Sequence, residues 1–132
     1  MKARDQKKIL IIENDESLLD VMRQLFEEEG YEVLDFRTVD DIFLRVAEFD
    51  PDVVLLDYLL PGINGGELCA QLKRDETTSH IPVVICSAYP QVLLSLGSYG
   101  CNAFIAKPFD LADMLQQVEN CRLNPDQVFK LS

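Results

Sequence analysis

A chain of 132 residues and 15.0 kDa amounts to one domain, and that length buries about two thirds of the surface an unfolded chain exposes. At 48% hydrophobic and 27% charged residues the composition is globular, which excludes disordered, collagen-like and low-complexity classes. Twelve basic against 23 acidic side chains leave a net charge of −11, a surface that repels nucleic-acid phosphates and anionic lipid but suits a cation.

Residues 1–6 read as an N-terminal arm. The basic opening Met1-Lys-Ala-Arg-Asp-Gln-Lys-Lys8 runs into only four apolar residues, too few for a signal-peptide core, so the expected location is the cytoplasm. No apolar stretch approaches the roughly 20 residues that span a bilayer. Lys8-Ile-Leu-Ile-Ile12 reads as a buried strand. Residues 16–29 read as a helix with Leu18, Val21, Met22, Leu25 and Phe26 on one stripe, stopped by Gly30. Residues 31–36 form a second, weaker strand. Thr38-Val-Asp-Asp41 resembles a capping box, followed by a helical face of Ile42, Phe43, Val46 and Ala47 that Asp50-Pro-Asp52 breaks.

Val53-Val-Leu-Leu-Asp57 is a continuous apolar run, the pattern of a strand covered on both faces. Pro61-Gly62 and Asn64-Gly65 mark a loop, and residues 66–74 a helix with Leu68, Cys69 and Leu72 inward. Residues 82–87 read as a fourth strand with Pro82 at its start, where a missing N–H is tolerated. Pro90 opens a short helix limited by Gly97 and Gly100. Ala103-Phe-Ile-Ala106 is a fifth strand. Asp110 caps a last helix carrying Leu111, Met114, Leu115 and Val118 at helical spacing. Residues 7–123 thus make the domain, and 124–132 a tail or the start of a linker. Cys69, Cys86, Cys101 and Cys121 are widely spaced among apolar neighbours, which signals buried thiols rather than a zinc or redox motif.

Five strand-then-helix units imply an α/β fold: a doubly wound parallel sheet with helices on both faces. Ligands of such sheets bind at the carboxyl ends of the strands. Those ends carry Glu13-Asn14-Asp15-Glu16, then Asp57, then Ser87, then Lys107-Pro108. Clustered carboxylates hold a hard cation such as Mg²⁺, which attracts a phosphoryl group. A lysine and a hydroxyl supply charge and a hydrogen bond to its oxygens, and Asp57 is placed to attack phosphorus. Taken singly, each residue has a plainer use. Asp57 suits a turn, residues 13–16 a solvated helix entry, Ser87 a helix cap, and Lys107 a surface charge.

Four segments resemble the receiver domains of two-component response regulators. They are Lys8-Ile-Leu-Ile-Ile-Glu-Asn-Asp, Val53-Val-Leu-Leu-Asp-Tyr-Leu-Leu-Pro-Gly-Ile-Asn-Gly, Ile81-Pro-Val-Val-Ile-Cys-Ser-Ala and Ala103-Phe-Ile-Ala-Lys-Pro-Phe. The similarity runs over residues 7–122. It implies a flavodoxin-like (βα)5 sheet of strand order 2-1-3-4-5. It also implies a phosphoacceptor at Asp57 charged by a sensor histidine kinase or phosphotransfer protein, and Mg²⁺ held by Glu13, Asn14, Asp57 and the backbone carbonyl of Leu59. Ser87 and Lys107 then contact the phosphoryl group, and Ser87 and Phe104 act as the switch. By residue pattern alone, Phe104 is a plain core aromatic.

The family's Lys-Pro bond is commonly cis, and it uses the face made by the helix at Pro90, the fifth strand and the last helix for a downstream partner or self-dimer. Such a domain is a signalling module rather than an enzyme, although it assists its own phosphorylation and dephosphorylation. One departure stands out: the second acidic-pair position is Asn14, an uncharged ligand, which weakens Mg²⁺ binding and motivates an alternative, a phosphorylation-impaired interaction module. Asp15 contributes electrostatically at most. Leu59 and Tyr89 occupy positions that tune phosphate lifetime and would slow its loss. A flavin carrier lacks its glycine-bearing phosphate loop here, since Glu13-Asn-Asp-Glu-Ser17 is acidic. An aspartate-dependent phosphatase lacks its second aspartate, because that position is Leu59. No role emerges for His80.

Overall fold

The computed structural model describes residues 6–89 and 99–129. In chain order the elements are β1 (Lys7–Ile12), α1 (Glu16–Glu28), β2 (Tyr31–Phe36), α2 (Ile42–Phe49), β3 (Val53–Asp57), α3 (Gly65–Arg74), β4 (Val83–Ser87), β5 (Ala103–Ala106) and α4 (Leu111–Leu123). The strands form one five-stranded sheet in the order β2-β1-β3-β4-β5, and every pairing is parallel. The order reverses between β1 and β3, and the connections from these two strands leave on opposite faces. A crevice therefore opens at their carboxyl ends.

Alternation along each strand divides the core into two layers. Ile9, Ile11 and Leu55 face one side, where Leu19, Met22 and Phe26 of α1 and Met114 and Val118 of α4 cover them. Leu10, Ile12, Val54 and Leu56 face the other, under Ile42 and Val46 of α2 and Leu68, Cys69 and Leu72 of α3. Every residue of β3 and β4 is buried, as the unbroken apolar runs require.

Each helix start is held by a side chain that accepts otherwise orphaned N–H groups. Asp15 takes Leu18 N, Asp41 takes Leu44 N, Asn64 takes Glu67 N, and Asp110 takes Ala112 N. Gly30 ends α1 at a φ of 88°, open to it without strain.

Several local expectations need correction. The cap of α2 is Asp41, not Thr38, because the Asp41 carboxylate reaches the third helical amide. On α1, Met22 and Phe26 are buried and Leu18 and Leu25 pack on the core as expected, but Leu19 takes the place expected of Val21, which is 42% exposed. Ala47 and Leu111 are exposed for a similar reason: each helix buries a narrower stripe than its apolar residues offer. α3 begins at Gly65, one residue early, and β4 at Val83, one residue late. The expected helix at Pro90, limited by Gly97, lies outside the described residues. All four cysteines are buried free thiols, and among the described residues no helix is long and apolar enough to cross a membrane.

Candidate functional site

The carboxyl ends of β1, β3, β4 and β5 are kept level by ladder bonds that continue past the strands. Glu13 N donates to Phe36 O (3.0 Å), Tyr58 N to Cys86 O (2.8 Å) and Lys107 N to Ser87 O (2.8 Å). Residues far apart in sequence are thereby brought together. The Lys107 ammonium donates to Glu13 Oε1 at 3.0 Å and to Asp57 Oδ1 at 3.2 Å, clamping the two carboxylates. Both are shielded from water: Glu13 is 1% and Asp57 7% exposed. Glu13 Oε2 is held by the amide of Asp15 (3.1 Å), and Asp57 Oδ1 also accepts from the amide of Leu59 (3.4 Å). Among the described residues, both N–H donors that reach Asp57 fall on Oδ1.

The electrostatics follow from this crowding. Burial, reinforced by neighbouring Asp57, raises the Glu13 carboxyl above its usual range, although the Asp15 amide and Lys107 pull the other way. Burial on its own pulls the Lys107 ammonium down. The hydrogen bond to Glu13 and the charges of both carboxylates outweigh it, so the net shift is upward and the cation is secure.

Ser87 is buried at the end of β4, beside the Lys107 backbone, and its hydroxyl oxygen accepts from the amide of Tyr89 (2.9 Å). That bond uses an oxygen lone pair and not the hydroxyl proton. The Lys107–Pro108 peptide is cis. Asn14 is half-buried and its backbone carbonyl accepts from Arg37 Nε at 3.2 Å. Asp15 is committed as the cap of α1. Leu59 and Tyr89 are 54% and 46% exposed. Phe104 sits on β5, half-buried, with its ring 6.2 Å from that of Phe129. His80 is exposed and away from the cluster, before β4.

One neighbour of the site escaped the sequence reading. A Cβ on Gly65 would fall 2.2 Å from the backbone oxygen of Asp57, so only glycine lets α3 start directly beneath it. The Gly65 amide donates to Tyr58 O at 2.8 Å and ties the loop after β3 to that helix. The signal was the run Asn64-Gly65-Gly66, whose second residue reads equally well as a turn.

Among the described residues no group of three or more His, Cys, Asp and Glu side chains is placed to hold a metal. The carboxylates brought together are Glu13 and Asp57. That set fits Mg²⁺, which commonly takes one or two carboxylates and keeps several waters, but it carries little negative charge.

The response regulator receiver domain model matches residues 9–119. The chain belongs to that family. It is a receiver domain of two-component signalling, and its sheet order is the one the resemblance implied. It is 32% identical over 125 residues to the DNA-binding dual master transcriptional regulator RpaA of Synechocystis, covering 92% of this chain and 51% of that protein. The phosphate regulon regulator PhoB of Rhizobium meliloti is 30% identical over 85% of this chain and 50% of its own length. The receiver therefore spans about half of these two regulators. The polar-differentiation response regulator DivK of Brucella ovis is 30% identical, with 86% of this chain and 94% of DivK covered. A CheY-like receiver domain from Methanospirillum hungatei superposes with a TM-score of 0.82 at 26% identity, covering 92% of this chain and 98% of its own.

Proposed function

We propose that this receiver accepts a phosphoryl group on Asp57 from the phosphohistidine of a sensor kinase or phosphotransfer protein, and that the transfer switches partner binding. The observation that carries the reading is the Lys107 ammonium bridging Glu13 and Asp57 at 3.0 and 3.2 Å. This clamp joins the ends of β1, β3 and β5 in the crevice where such sheets bind ligands.

In the transfer, Asp57 Oδ2 attacks phosphorus, the O–P bond forms as the N–P bond of the donor breaks, and the imidazole leaves with its electron pair. Lys107 neutralises charge on the phosphoryl oxygens, and the Ser87 hydroxyl donates to one of them. Glu13, Asn14, Asp57 and the carbonyl of Leu59 would hold Mg²⁺, which supplies the charge neutralisation that phosphoryl transfer requires. Engagement of Ser87 then frees space for the Phe104 ring to turn inward, a two-state element that phosphorylation biases. A downstream protein or a second copy would read that change on the face around β5 and α4; the helix expected at Pro90, which completes this face, lies outside the described residues. Leu59 and Tyr89 flank the acyl phosphate with apolar bulk and slow its hydrolysis.

A small acyl-phosphate donor with Mg²⁺, followed by intact mass measurement, tests the reading. A single phosphoryl adduct absent from Asp57→Ala supports it, and the adduct should then persist in the isolated protein. A second reading rests on Asn14, whose amide brings no charge to the acidic pair: a receiver that binds partners without being phosphorylated. No adduct at any Mg²⁺ concentration would select it. Asn14→Asp separates the two further, since it should tighten Mg²⁺ at least about tenfold if position 14 faces the cation.

A further inference from the structure

Residues 125–129, beyond α4, lie against the domain. The amide of Phe129 donates to Cys101 O at 3.0 Å, immediately before β5, the edge strand of the sheet. Asn102, 6% exposed, points both ways. Its Oδ1 accepts from Val83 N at 2.8 Å, while its Nδ2 donates to Pro125 O at 2.9 Å and to Gln127 O at 2.7 Å. The ring of Phe129 then packs on Phe104, with centroids 6.2 Å apart and planes at 48°. Behind the segment lies an open groove of about 1350 Å³, lined by Gln116, Cys121 and Val128 among others. The segment is held mainly by Asn102, Cys101 O and Phe104, with one longer bond from Asn120 Nδ2 of α4 to Gln127 Oε1 at 3.4 Å.

We propose that residues 125–129 are an intramolecular strap on the open edge beside β5, and that it holds the Phe104 ring in its present position against Phe129. Edge strands offer unpaired backbone groups to any passing chain, and proteins commonly cover them. Here the covering segment touches the aromatic residue that the receiver reading makes the switch. Turning Phe104 inward removes the partner of Phe129 and weakens the strap, and a bound strap by the same linkage opposes that turn. A partner docking beside β5 must displace the strap first. The strap and its coupling to Phe104 do not require that Asp57 be phosphorylated, so they stand or fall separately from the phosphoacceptor reading.

Amide hydrogen exchange followed by NMR tests this on the full chain. In the wild type the amides of Gln127 and Phe129, both hydrogen-bonded, should be protected relative to an unstructured peptide. Asn102→Asp keeps the acceptor for Val83 and turns the two donated bonds into a carboxylate facing two carbonyl oxygens. Exchange at 127 and 129 should then rise at least about thirtyfold, while Leu55 in the central strand exchanges as before. Phe104→Ala removes the aromatic pair and should accelerate the same amides about two- to twelvefold; it also covers the case in which Asn102→Asp does not fold. Unprotected strap amides in the wild type would overturn the proposal. So would an unchanged rate at 129 in Phe104→Ala, or loss of protection at Leu55 in step with 129, which would make the segment part of the global fold rather than a releasable strap.

Discussion

Replacing Lys107 by Met tests the electrostatic account of the site most directly. The ammonium sits between two carboxylates whose side chains are 1% and 8% exposed, and is itself 21% exposed. Removing one partner of a buried ionic cluster costs about 3–5 kcal/mol. Lys107 reaches solvent, so the lower figure applies, about 3 kcal/mol at pH 8, or about 10 °C in Tm for a domain of this size.

The loss depends on pH, with a sign the structure sets. Glu13 already has a raised pKa from burial and from Asp57, and Lys107 is one of the groups holding it down. Without Lys107 it rises further. A group whose folded pKa lies above its unfolded value contributes stability at low pH and loses it as pH climbs through the folded pKa. The variant therefore recovers part of its loss as pH falls from 8 to 5, by up to about 1.4 kcal/mol per unit for one proton. The raised pKa of Lys107 acts only at alkaline pH, above this window. Urea denaturation of both proteins at four pH values between 5 and 8 measures this. A deficit that stays constant across the range, or no deficit at pH 8, would refute the clamp as the main interaction among these side chains.

Asp57→Asn should stabilise the domain by about 1 kcal/mol at pH 7, because it removes one of two crowded carboxylates and leaves Lys107 paired with Glu13; a lower urea midpoint would contradict this. Gly65→Ala should cost on the order of 2–3 kcal/mol and depress acyl-phosphate labelling, since its Cβ must displace the backbone at Asp57; a wild-type midpoint with normal labelling would show that α3 shifts freely. Glu119 accepts from Arg122 at 2.9 and 3.0 Å and from the Tyr31 hydroxyl. The Arg122 guanidinium first, against the opposing effect of burial, and then Tyr31 hold its carboxyl down at about 2. A depressed carboxylate stabilises above its unfolded pKa and loses that contribution as pH falls through the folded one. Discounted for its partial exposure, Glu119→Gln should cost about 1–2 kcal/mol at pH 7, with the gap closing between pH 4.5 and about 2. A gap of equal size at pH 7 and pH 2 would exclude the ionic contribution.

The limits of β2, β3 and β5 were readable from the sequence. β3 is a fully buried, unbroken apolar run, and turn residues bracket β2, with Gly30 before it. The choice of Leu19 over Val21 on α1 was not readable. Leu18, Leu19, Val21 and Met22 all offer apolar surface, and only the docking angle against the sheet decides that Leu19 goes in and Val21 stays out. The capping-box pattern Thr38-Val-Asp-Asp41 pointed to Thr38, whereas the chain path places Asp41 under Leu44 N.

Alternating strands and helices, apolar runs ending in Glu13, Asp57, Ser87 and Lys107, and the asparagine at position 14 were written in the chain itself, because local pattern dictates element type and element type dictates where strand ends lie. What required the assembled tertiary structure was distance. The Lys107 bridge spans 94 residues to Glu13 and 50 to Asp57. The Gly65 approach to Asp57 O is a matter of ångströms between backbones, and residues 125–129, aperiodic and read as a tail, found their partners in Asn102 and Phe104 only once β5 had become the edge of the sheet. Such contacts join segments that carry no mark of one another, so they are decided by packing and not by pattern.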